Sequence, residues 1–342
     1  MRILHLLATG LYSGAENVAL TMMAALPEYE TVYASPDGPI RQVVESRGQK
    51  YFALESTSIG AVKKAISAVK PDIIHAHDPR MSCLAALAAP WGMKIVSHLH
   101  NDPDWLSGVN FNTLSYHLCA GRFAKIAAVS GSVVDKMILS KRFRKKWLVL
   151  PNCVDLTRVK NLAQEDAPQT DILAVGRLSE QKDPVGFLQI LSLLEKRGVS
   201  FRAAMVGDGE LRSDCEAAVR ELGLEDTVTL AGFRENPYAW MARTKVLVMP
   251  SKWEGFGLVA VEALGLGVPV VCSGAGGLKD IVDESCGAVC GGIKAHADEI
   301  QHLLENDTLR EEKGRAALQR AQIFTDMRVY QARLIELYKV KQ

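Results

Sequence analysis

Residues 250–273 have the sequence PSKWEGFGLVAVEALGLGVPVVCS, and this stretch decides how the rest of the chain is interpreted. The pattern predicts the end of a strand, a loop with two glycines, a helix beginning near Leu258 and a second buried strand. Glu254 lies in the loop and Glu262 in the helix. The first amides of a helix have no partner within it, so the segment could offer amides to a phosphate and carboxylates to hydroxyl groups. Two surface acids on an ordinary α/β core are the alternative.

Short apolar runs alternate with amphipathic stretches along the whole chain. Predicted strands separated by helical patterns occur before residue 151, and a second series begins at residue 171. Continuous apolar strands joined by helices are typical of parallel sheets covered on both faces. Residues 157–169 are polar and carry no strand signal, so they are the predicted linker. The sequence therefore predicts an α/β protein with two Rossmann-like, doubly wound domains, 1–156 and 157–325, facing each other across a cleft.

The composition is that of an ordinary soluble protein. The 342 residues suffice for two domains, and the net charge is only +1. Seven scattered cysteines show no zinc-ligand spacing and are expected to be reduced thiols. The chain opens directly as a strand, without a signal peptide, and no apolar run could span a bilayer. We therefore expect a cytoplasmic protein, and its acidic second half does not favour nucleic acid.

The first half carries one strongly basic run, KRFRKKW at residues 141–147. The ordinary interpretation is a solvated charge run. The alternative is a patch that docks on anionic lipid headgroups, which would place the protein at the inner face of the membrane. The cations that would make this peripheral contact are Lys141, Arg142, Arg144, Lys145 and Lys146.

Histidines close two predicted strands of the first half. His75 and His77 end one strand, and His98 and His100 end the next. Alternation along a strand places the members of each pair on one face. His100 is nearest the loop that begins at Asn101 and could donate a hydrogen bond to a substrate oxygen. A metal site would need a third ligand, for which Asp78 is the obvious candidate; satisfied structural histidines are the alternative, and no metal is predicted.

Glycines and cations follow the strands of the second half. Gly176 and Arg177 follow the first of these strands, with Lys182 a few residues further on. Gly207 follows the next strand, and the segment GFREN at 232–236 follows a third. An Arg can fork onto two phosphate oxygens, whereas a Lys acts as a point charge. These positions predict a basic, glycine-lined pocket at the same sheet edge as Glu254.

Together these pieces resemble the retaining, nucleotide-sugar-dependent glycosyltransferases with two Rossmann-like domains, the GT-B fold. They look most like the large bacterial family of mannosyl-, glucosyl- and N-acetylglucosaminyltransferases, glycosyltransferase group 1. The matching positions extend over residues 10–277. The most specific are the Glu-x7-Glu segment at 254–262 with the Gly-Val-Pro that follows at 267–269, and the Gly-Arg…Lys pattern at 176–182.

The resemblance implies a role for each matching residue. Arg177 and Lys182 would hold the donor diphosphate, with Glu254 against the donor sugar and His100 reaching that sugar from the first domain as the fourth catalytic residue. Glu262 would accept hydrogen bonds from the ribose. The other donor-binding residues would be Gly14, Gly176, Gly207, Phe233, Arg234, Gly255, Phe256, Gly257 and Leu258. The acceptor side would comprise Ser13, His77 and Asn101.

Two departures from the family pattern stand out, and the chain ends in a last predicted helix. Ser13 precedes Gly14 where the family often has adjacent glycines, and Asp183 follows Lys182 where the family often has glycine. Neither change removes a charge that the chemistry needs. The resemblance also implies that the terminal segment, 326–342, crosses back to the first domain.

The implied activity is that of a hexosyltransferase. A hexose or N-acetylhexosamine would move from a nucleoside-diphosphate sugar, with UDP favoured over GDP, to a saccharide or lipid-linked acceptor in polysaccharide or glycolipid synthesis. The nucleotide sugar is a co-substrate, and no cofactor or metal is expected. Attack from the face of departure is the favoured mechanism, and double displacement through Glu254 is its competitor. A nucleotide-sugar epimerase and a non-catalytic nucleotide-sugar-binding subunit are the alternatives.

Overall fold

A computed structural model of the chain describes residues 1–101, 107–137 and 140–339. The chain forms two compact units. The N-terminal domain comprises Met1–Cys153 with the described residues of Asp326–Gln342, and the C-terminal domain comprises Val154–Thr325. The first domain thus ends three residues before the predicted boundary at 156. Most of the loop expected after His100, residues 102–106, lies outside the described residues.

A seven-stranded sheet forms the centre of the N-terminal domain, in the order β3-β2-β1-β4-β5-β6-β7 with every described pair parallel. Its strands are β1 Arg2–Leu6, β2 Glu30–Pro36, β3 Lys50–Leu54, β4 Ile73–Ala76, β5 Lys94–Leu99, β6 Lys125–Ala128 and β7 Trp147–Val149. The strand order reverses between β1 and β4, which is where doubly wound sheets bind ligands. β3 was not predicted from the sequence.

Helices cover this sheet and bury its apolar side chains. They are α1 Gly14–Ala24, α2 Ile40–Ser46, α3 Ile59–Val69, α4 Pro79–Ala88, α5 Phe111–Ala120 and α6 Gly131–Lys136, followed by a short 3-10 segment, Ser140–Lys146. The sequence pattern predicts a helix over residues 132–139, but α6 ends at Lys136, and residues 138 and 139 lie outside the described residues. Leu20, Met23 and Tyr33 are among the buried side chains that join α1 to the sheet.

A six-stranded sheet forms the centre of the C-terminal domain, in the order β10-β9-β8-β11-β12-β13, again with parallel pairs. Its strands are β8 Thr170–Val175, β9 Ala203–Val206, β10 Val228–Gly232, β11 Thr244–Met249, β12 Val270–Ser273 and β13 Gly287–Cys290. Here the order reverses between β8 and β11. The two parallel sheets confirm the predicted fold class.

The helices of the C-terminal domain are α7 Leu156–Leu162, α8 Pro184–Lys196, α9 Arg212–Glu221, α10 Tyr238–Met241, α11 Leu258–Gly265, α12 Leu278–Ile281, α13 Gly292–Glu305 and α14 Asp307–Ala321. The linker prediction for residues 157–169 is wrong in part, because α7 occupies the start of that range. Asp155 caps α7 by accepting from the amide of Arg158 at 3.0 Å, and Val159 is buried. Polar residues outnumber apolar ones in this segment, which concealed the helix.

The last helix, α15 Met327–Tyr338, belongs to the N-terminal domain although it follows the whole of the C-terminal domain in sequence. Asp326 caps it by accepting from the amides of Arg328 and Val329. Its buried residues are Tyr330, Leu334, Leu337 and Tyr338. Among the described residues, no helix is both long enough and apolar enough to cross a membrane.

Candidate active site

Lys182 and Glu254 meet at the carboxyl ends of β8 and β11. The ammonium of Lys182 forms an ion pair and hydrogen bond with Oε2 of Glu254, and Glu254 is buried. Gly176 lies beneath the aliphatic part of Lys182, since a Cβ at that position would lie 3.6 Å from Lys182 Cγ. The structure thus brings Glu254 to Gly176 and Lys182, which lie more than 70 residues earlier in the sequence and were assigned to the same site.

Backbone and amide hydrogen bonds join the two loops that carry these charges. The amide of Lys252 donates to the carbonyl of Gln181 at 2.9 Å, and Gln181 Nε2 donates to the carbonyl of Trp253 at 3.2 Å. Gln181 was not predicted from the sequence to belong to this site. Its only signal was adjacency to Lys182, and the residue it bonds lies far away in the chain. These bonds fix the position of the ammonium relative to the carboxylate.

Arg177 follows β8 and is 70% exposed in its side chain. Its Nε donates to Oε2 of Glu210 at 3.0 Å, a partner that the sequence analysis also missed. An exposed ion pair of this kind is weak, because water screens both charges and both side chains lose rotational freedom. The guanidinium can therefore exchange Glu210 for an anionic ligand at little cost.

Gly207, at the end of β9, is required by a close approach between two loops. Its φ is +147°, and a Cβ there would lie 1.8 Å from the carbonyl oxygen of Gly176. Its amide donates to the carbonyl of Gly232 at 2.9 Å, so the loops after β8, β9 and β10 contact one another. Gly207 therefore shapes this edge of the sheet through its missing side chain.

The N-terminus of α11 follows Glu254 directly. Gly257 begins the helix with φ +110°, and a Cβ there would lie 2.6 Å from a methyl carbon of Leu278. The amide of Gly277 donates to the carbonyl of Glu254 at 3.1 Å, which brings the loop after β12 to the same place. The amides of Leu258 and Val259 precede the first helical hydrogen bonds, which the amides of Ala260 and Val261 donate to the carbonyl of Gly257 at 3.0 and 3.3 Å, and they carry the positive end of the helix dipole.

Phe256 has a different environment from the one expected of a ligand-binding side chain. Its ring is buried and packs edge to face on Phe324, with the centroids 5.7 Å apart. Only its backbone, with that of the buried Gly255, can therefore take part in a site. The residues expected to border the base, Phe233 and Arg234, follow β10 and are exposed.

Glu262 lies within α11 and is buried. Burial raises the pKa of its carboxyl to about 7, opposed by a hydrogen bond from Tyr238 Oη at 3.1 Å and by the charge of Arg158. The partner Tyr238 was not predicted, because it belongs to α10, a separate short helix. Glu262 is thus held in one orientation by a neutral hydrogen-bond donor.

A pocket opens where β8, β9 and β11 end, at the reversal of the strand order. Its lining includes Gly176, Arg177, Lys182, Val206 and Ser251. Both predicted cations, Arg177 and Lys182, line the pocket. Lys182 also pairs with Glu254 there. A negatively charged ligand with hydroxyl groups matches this combination of charges, because the cations and carboxylate can then satisfy different parts of it.

Histidines cluster at the corresponding edge of the N-terminal sheet. His100 Nε2 is 3.0 Å from His77 Nδ1, and His77 Nε2 is 2.9 Å from His5 Nδ1. His75 bonds His98 on one side, at 3.2 Å, and Tyr338 Oη of α15 on the other, at 2.6 Å. The expectation that paired histidines share a face is confirmed. His5 was missed, although it stands near the end of β1, where the same alternation applies.

These histidines are neutral, because burial lowers the pKa of each imidazole; it brings those of His5 and His100 to about 3. A neutral imidazole carries one proton, so the position of the proton on one ring fixes its position on the next ring that is hydrogen-bonded to it. If His77 donates through Nδ1 to His100, then His100 carries its own proton on Nδ1, a buried atom that has no partner among the described residues. The chain from His5 through His77 can therefore set His100 as a hydrogen-bond donor.

The same cluster contains two groups of nitrogen atoms that could hold a metal ion. The groups are His5, His75 and His77, and His77, His98 and His100, each with its nitrogens within 4.8 Å of one another. Asp78, the candidate third ligand if a metal were bound, caps α4 by accepting from the amide of Met81 at 2.7 Å. Several of the nitrogens hydrogen-bond to one another, and a metal would have to break those bonds.

The remaining predicted residues of the N-terminal domain lie at the surface. Ser13 and Gly14 are exposed at the start of α1, and Asn101 is exposed after β5. The hydroxyl of Ser13 donates to the buried Glu16 carboxylate, whose pKa is raised by burial. Ser13 thus has an internal partner, and Glu16, which the sequence analysis did not single out, stands behind it.

Known proteins of similar sequence and structure place the chain in a class. The structure of HepE from Anabaena in complex with UDP-glucose superimposes with a TM-score of 0.86, at 21% identity, covering 98% of both chains. A Campylobacter jejuni enzyme named as an N-acetylgalactosaminyltransferase acting on a diphospho-undecaprenol-linked sugar is 30% identical over 54% of this chain and 52% of its own length. A second C. jejuni N-acetylgalactosaminyltransferase, also named for a PP-undecaprenol acceptor, is 28% identical over 82% of this chain and 76% of its own.

The fold is that of the GT-B glycosyltransferases, with two parallel α/β domains. The family described as glycosyl transferases group 1 matches residues 157–320, and the one described as glycosyltransferase family 4 matches residues 12–158. Residues 157–320 are therefore similar to the group 1 glycosyltransferases, and the two matched ranges together extend over both domains. The chain spans about half the length of the first C. jejuni relative and about three quarters of the second.

Proposed function

We propose that this protein transfers a hexose or N-acetylhexosamine from a UDP-sugar to a lipid-linked saccharide, with retention of anomeric configuration. The observation that carries the proposal is the Lys182–Glu254 pair beside Arg177, at the edge where β8 and β11 end. A donor diphosphate would contact Lys182 and Arg177, which would leave the Glu254 carboxylate to accept from a sugar hydroxyl. The UDP-glucose bound by HepE and the acceptors named for the C. jejuni relatives support these choices of donor and acceptor.

The reaction makes use of charges that grow as the sugar leaves. The bond from the anomeric carbon to the phosphate oxygen breaks, and a bond from the acceptor oxygen forms on the same face. The acceptor proton passes to the departing phosphate oxygen. Arg177, Lys182 and the first amides of α11 stabilise the negative charge on the diphosphate, so they act chiefly in the transition state. These groups supply the charge that a metal would otherwise provide, and we propose a metal-independent reaction.

The other side chains of the site serve binding. Glu262 accepts from the ribose hydroxyls, while Tyr238 holds its carboxyl in place. With His77 donating to its Nε2, His100 holds its own proton on Nδ1, from which it could donate to a sugar hydroxyl. A covalent glycosyl ester on Glu254, detected by mass spectrometry, would replace same-face attack by double displacement.

The test measures UDP release from UDP-glucose and UDP-N-acetylglucosamine in EDTA, with a diphospho-undecaprenol-linked N-acetylhexosamine as acceptor. Arg177→Ala should lower turnover roughly a hundredfold or more, because it removes a donor to the developing charge. Arg220→Ala, which changes an exposed arginine on α9, is the control and should retain activity. Isomerised donor without acceptor would indicate an epimerase, and normal turnover in Arg177→Ala would overturn the diphosphate assignment.

A further inference from the structure

Large apolar side chains are exposed together on one side of the N-terminal domain. Trp91 is 88% exposed, Phe111 83% and Leu118 76%. We define the α4–α5 face by its exposed apolar residues, which are Leu87, Trp91, Val109, Phe111, Leu114 and Leu118. Residues 111, 114 and 118 follow the three- and four-residue spacing of one helical stripe. Patches of this kind on a water-exposed domain usually mark a surface that another molecule covers.

The helix that carries this stripe is held firmly from the other side. Its N-terminus has a capping box, in which Asn110 accepts from the amide of Thr113 and Thr113 accepts from the amide of Asn110. Tyr116 is buried and its hydroxyl is 2.7 Å from Ser97 Oγ of β5. The inward face of α5 is therefore fixed in the core, and its apolar outward face is a feature of the folded domain.

Basic side chains surround the α4–α5 face. The guanidinium of Arg122 lies 4.5 Å from the ring centroid of Trp91 and donates to the carbonyl of Pro90. The 3-10 segment Ser140–Lys146 packs on the C-terminal part of α5, where Phe143 stacks on His117 with centroids 5.9 Å apart. This contact places the basic run at the margin of the apolar stripe.

The basic run differs from the sequence expectation in one residue. Lys146 is turned inward and donates to the carbonyls of Ala120 and Gly121, at 3.0 and 2.8 Å. The cations that remain exposed are Lys141, Arg142, Arg144 and Lys145. The stretches 79–101, 107–134 and 140–154, which build this side of the domain, contain no Asp or Glu. The nearest acids in sequence are Asp78, Asp135 on α6, Asp155, and Asp102 and Asp104, which lie outside the described residues, so the four exposed cations of residues 141–145 form a basic cluster within a stretch that contains no acid.

We propose that the α4–α5 face docks on an anionic lipid bilayer. Trp, Phe and Leu would enter the headgroup boundary with α5 lying along the surface, while the four exposed cations contact lipid phosphates. The four exposed cations favour an anionic membrane over a second copy of the chain, which would bring these like charges together. This proposal does not depend on the donor or acceptor of the transfer reaction.

The test is sedimentation of the full chain with vesicles of phosphatidylcholine alone or mixed with phosphatidylglycerol. Binding should require phosphatidylglycerol and weaken with salt. Lys141→Glu with Arg142→Glu should weaken binding roughly thirtyfold or more, from the loss of two surface cations. Phe111→Ser with Leu118→Ser should weaken it comparably. The matched controls, Lys294→Glu and Ile323→Ser, change exposed residues of the C-terminal domain and should bind as the wild type does.

Circular dichroism would establish that each variant is folded before its binding is compared. Equal binding to the two vesicle types would overturn the proposal, as would face variants that bind like the controls. A wild type that is dimeric without lipid and becomes monomeric in Phe111→Ser with Leu118→Ser would also overturn it, because a second copy would then cover the face.

Discussion

Burial of the Glu262 carboxyl makes the stability of the C-terminal domain depend on pH. Its pKa rises from an ordinary 4.5 to about 7, so the folded state binds the proton more tightly than the unfolded state. The resulting stabilisation is complete below pH 4.5 and is lost as the pH rises through 7. Glu262→Gln should therefore melt like the wild type near pH 4.5. At pH 8 it should melt at a higher temperature, with a free energy of unfolding that is greater by on the order of 3 kcal/mol at most.

Thermal melts of both proteins between pH 4.5 and 8 would measure this difference. Glu221→Gln, on the exposed side of α9, is the matched control and should show no such trend. A difference between Glu262→Gln and the wild type that stays constant over this range would show that the carboxyl keeps its ordinary pKa.

Site residues could be predicted from the sequence where they belong to motifs whose members lie close together in the chain. The types and positions of Arg177, Lys182 and Glu254 followed from such motifs. Their partners were not readable: Glu210 and Tyr238 lie on other elements, and only the fold brings them within hydrogen-bond reach.

At the end of β9, Gly207 has almost no space for a Cβ atom. In Gly207→Ala, the added Cβ would lie 1.8 Å from the Gly176 carbonyl oxygen, so the loops after β8 and β9 must separate. We expect a loss of about 1–3 kcal/mol in the free energy of unfolding, as for other overpacked sites, together with weaker UDP binding.

Denaturant unfolding and a UDP titration would measure both effects. Gly291→Ala is the control, since nothing lies within 4 Å of the position of its Cβ and its φ is negative. If Gly207→Ala and Gly291→Ala were equally stable, the contact between the two loops would not be tight.

β3 and α7, two of the elements that were not predicted from the sequence, have a weak apolar signal. β3 lies at an edge of its sheet, where only Leu54 of its five residues is buried. α7 has one buried residue, Val159. Central strands, in contrast, are buried on both faces and were predicted with small errors at their ends. Hydrophobic periodicity arises from burial, so elements with few buried residues, such as β3 and α7, give a weak signal in the sequence.

At the scale of the whole molecule, the chain completes the C-terminal domain and then adds α15 to the N-terminal domain. Leu334 of α15 is fully buried there. Leu334→Ala should cost about 2–5 kcal/mol, from lost transfer energy and the cavity left behind. Val329→Ala, on the exposed side of the same helix, should cost far less, because that side chain is 50% exposed.

Unfolding followed by circular dichroism would compare these two variants of α15. Similar, small shifts for both would mean that the helix contributes little to the N-terminal domain. A large shift for Leu334→Ala alone would support α15 as an integral part of a domain that the first 153 residues do not complete.

The sequence by itself determined the two parallel-sheet domains, the strand ends that carry chemistry, and the segment 250–273 with its two carboxylates. These features depend on local periodicity and on motif spacing, which a linear chain contains. Only the tertiary structure decided which groups pair: Lys182 with Glu254, His100 with His77 and His5, and Lys146 with the end of α5. It also decided which apolar residues stay exposed. Pairing and exposure depend on packing between segments that are distant in sequence, and a local sequence pattern does not contain that information.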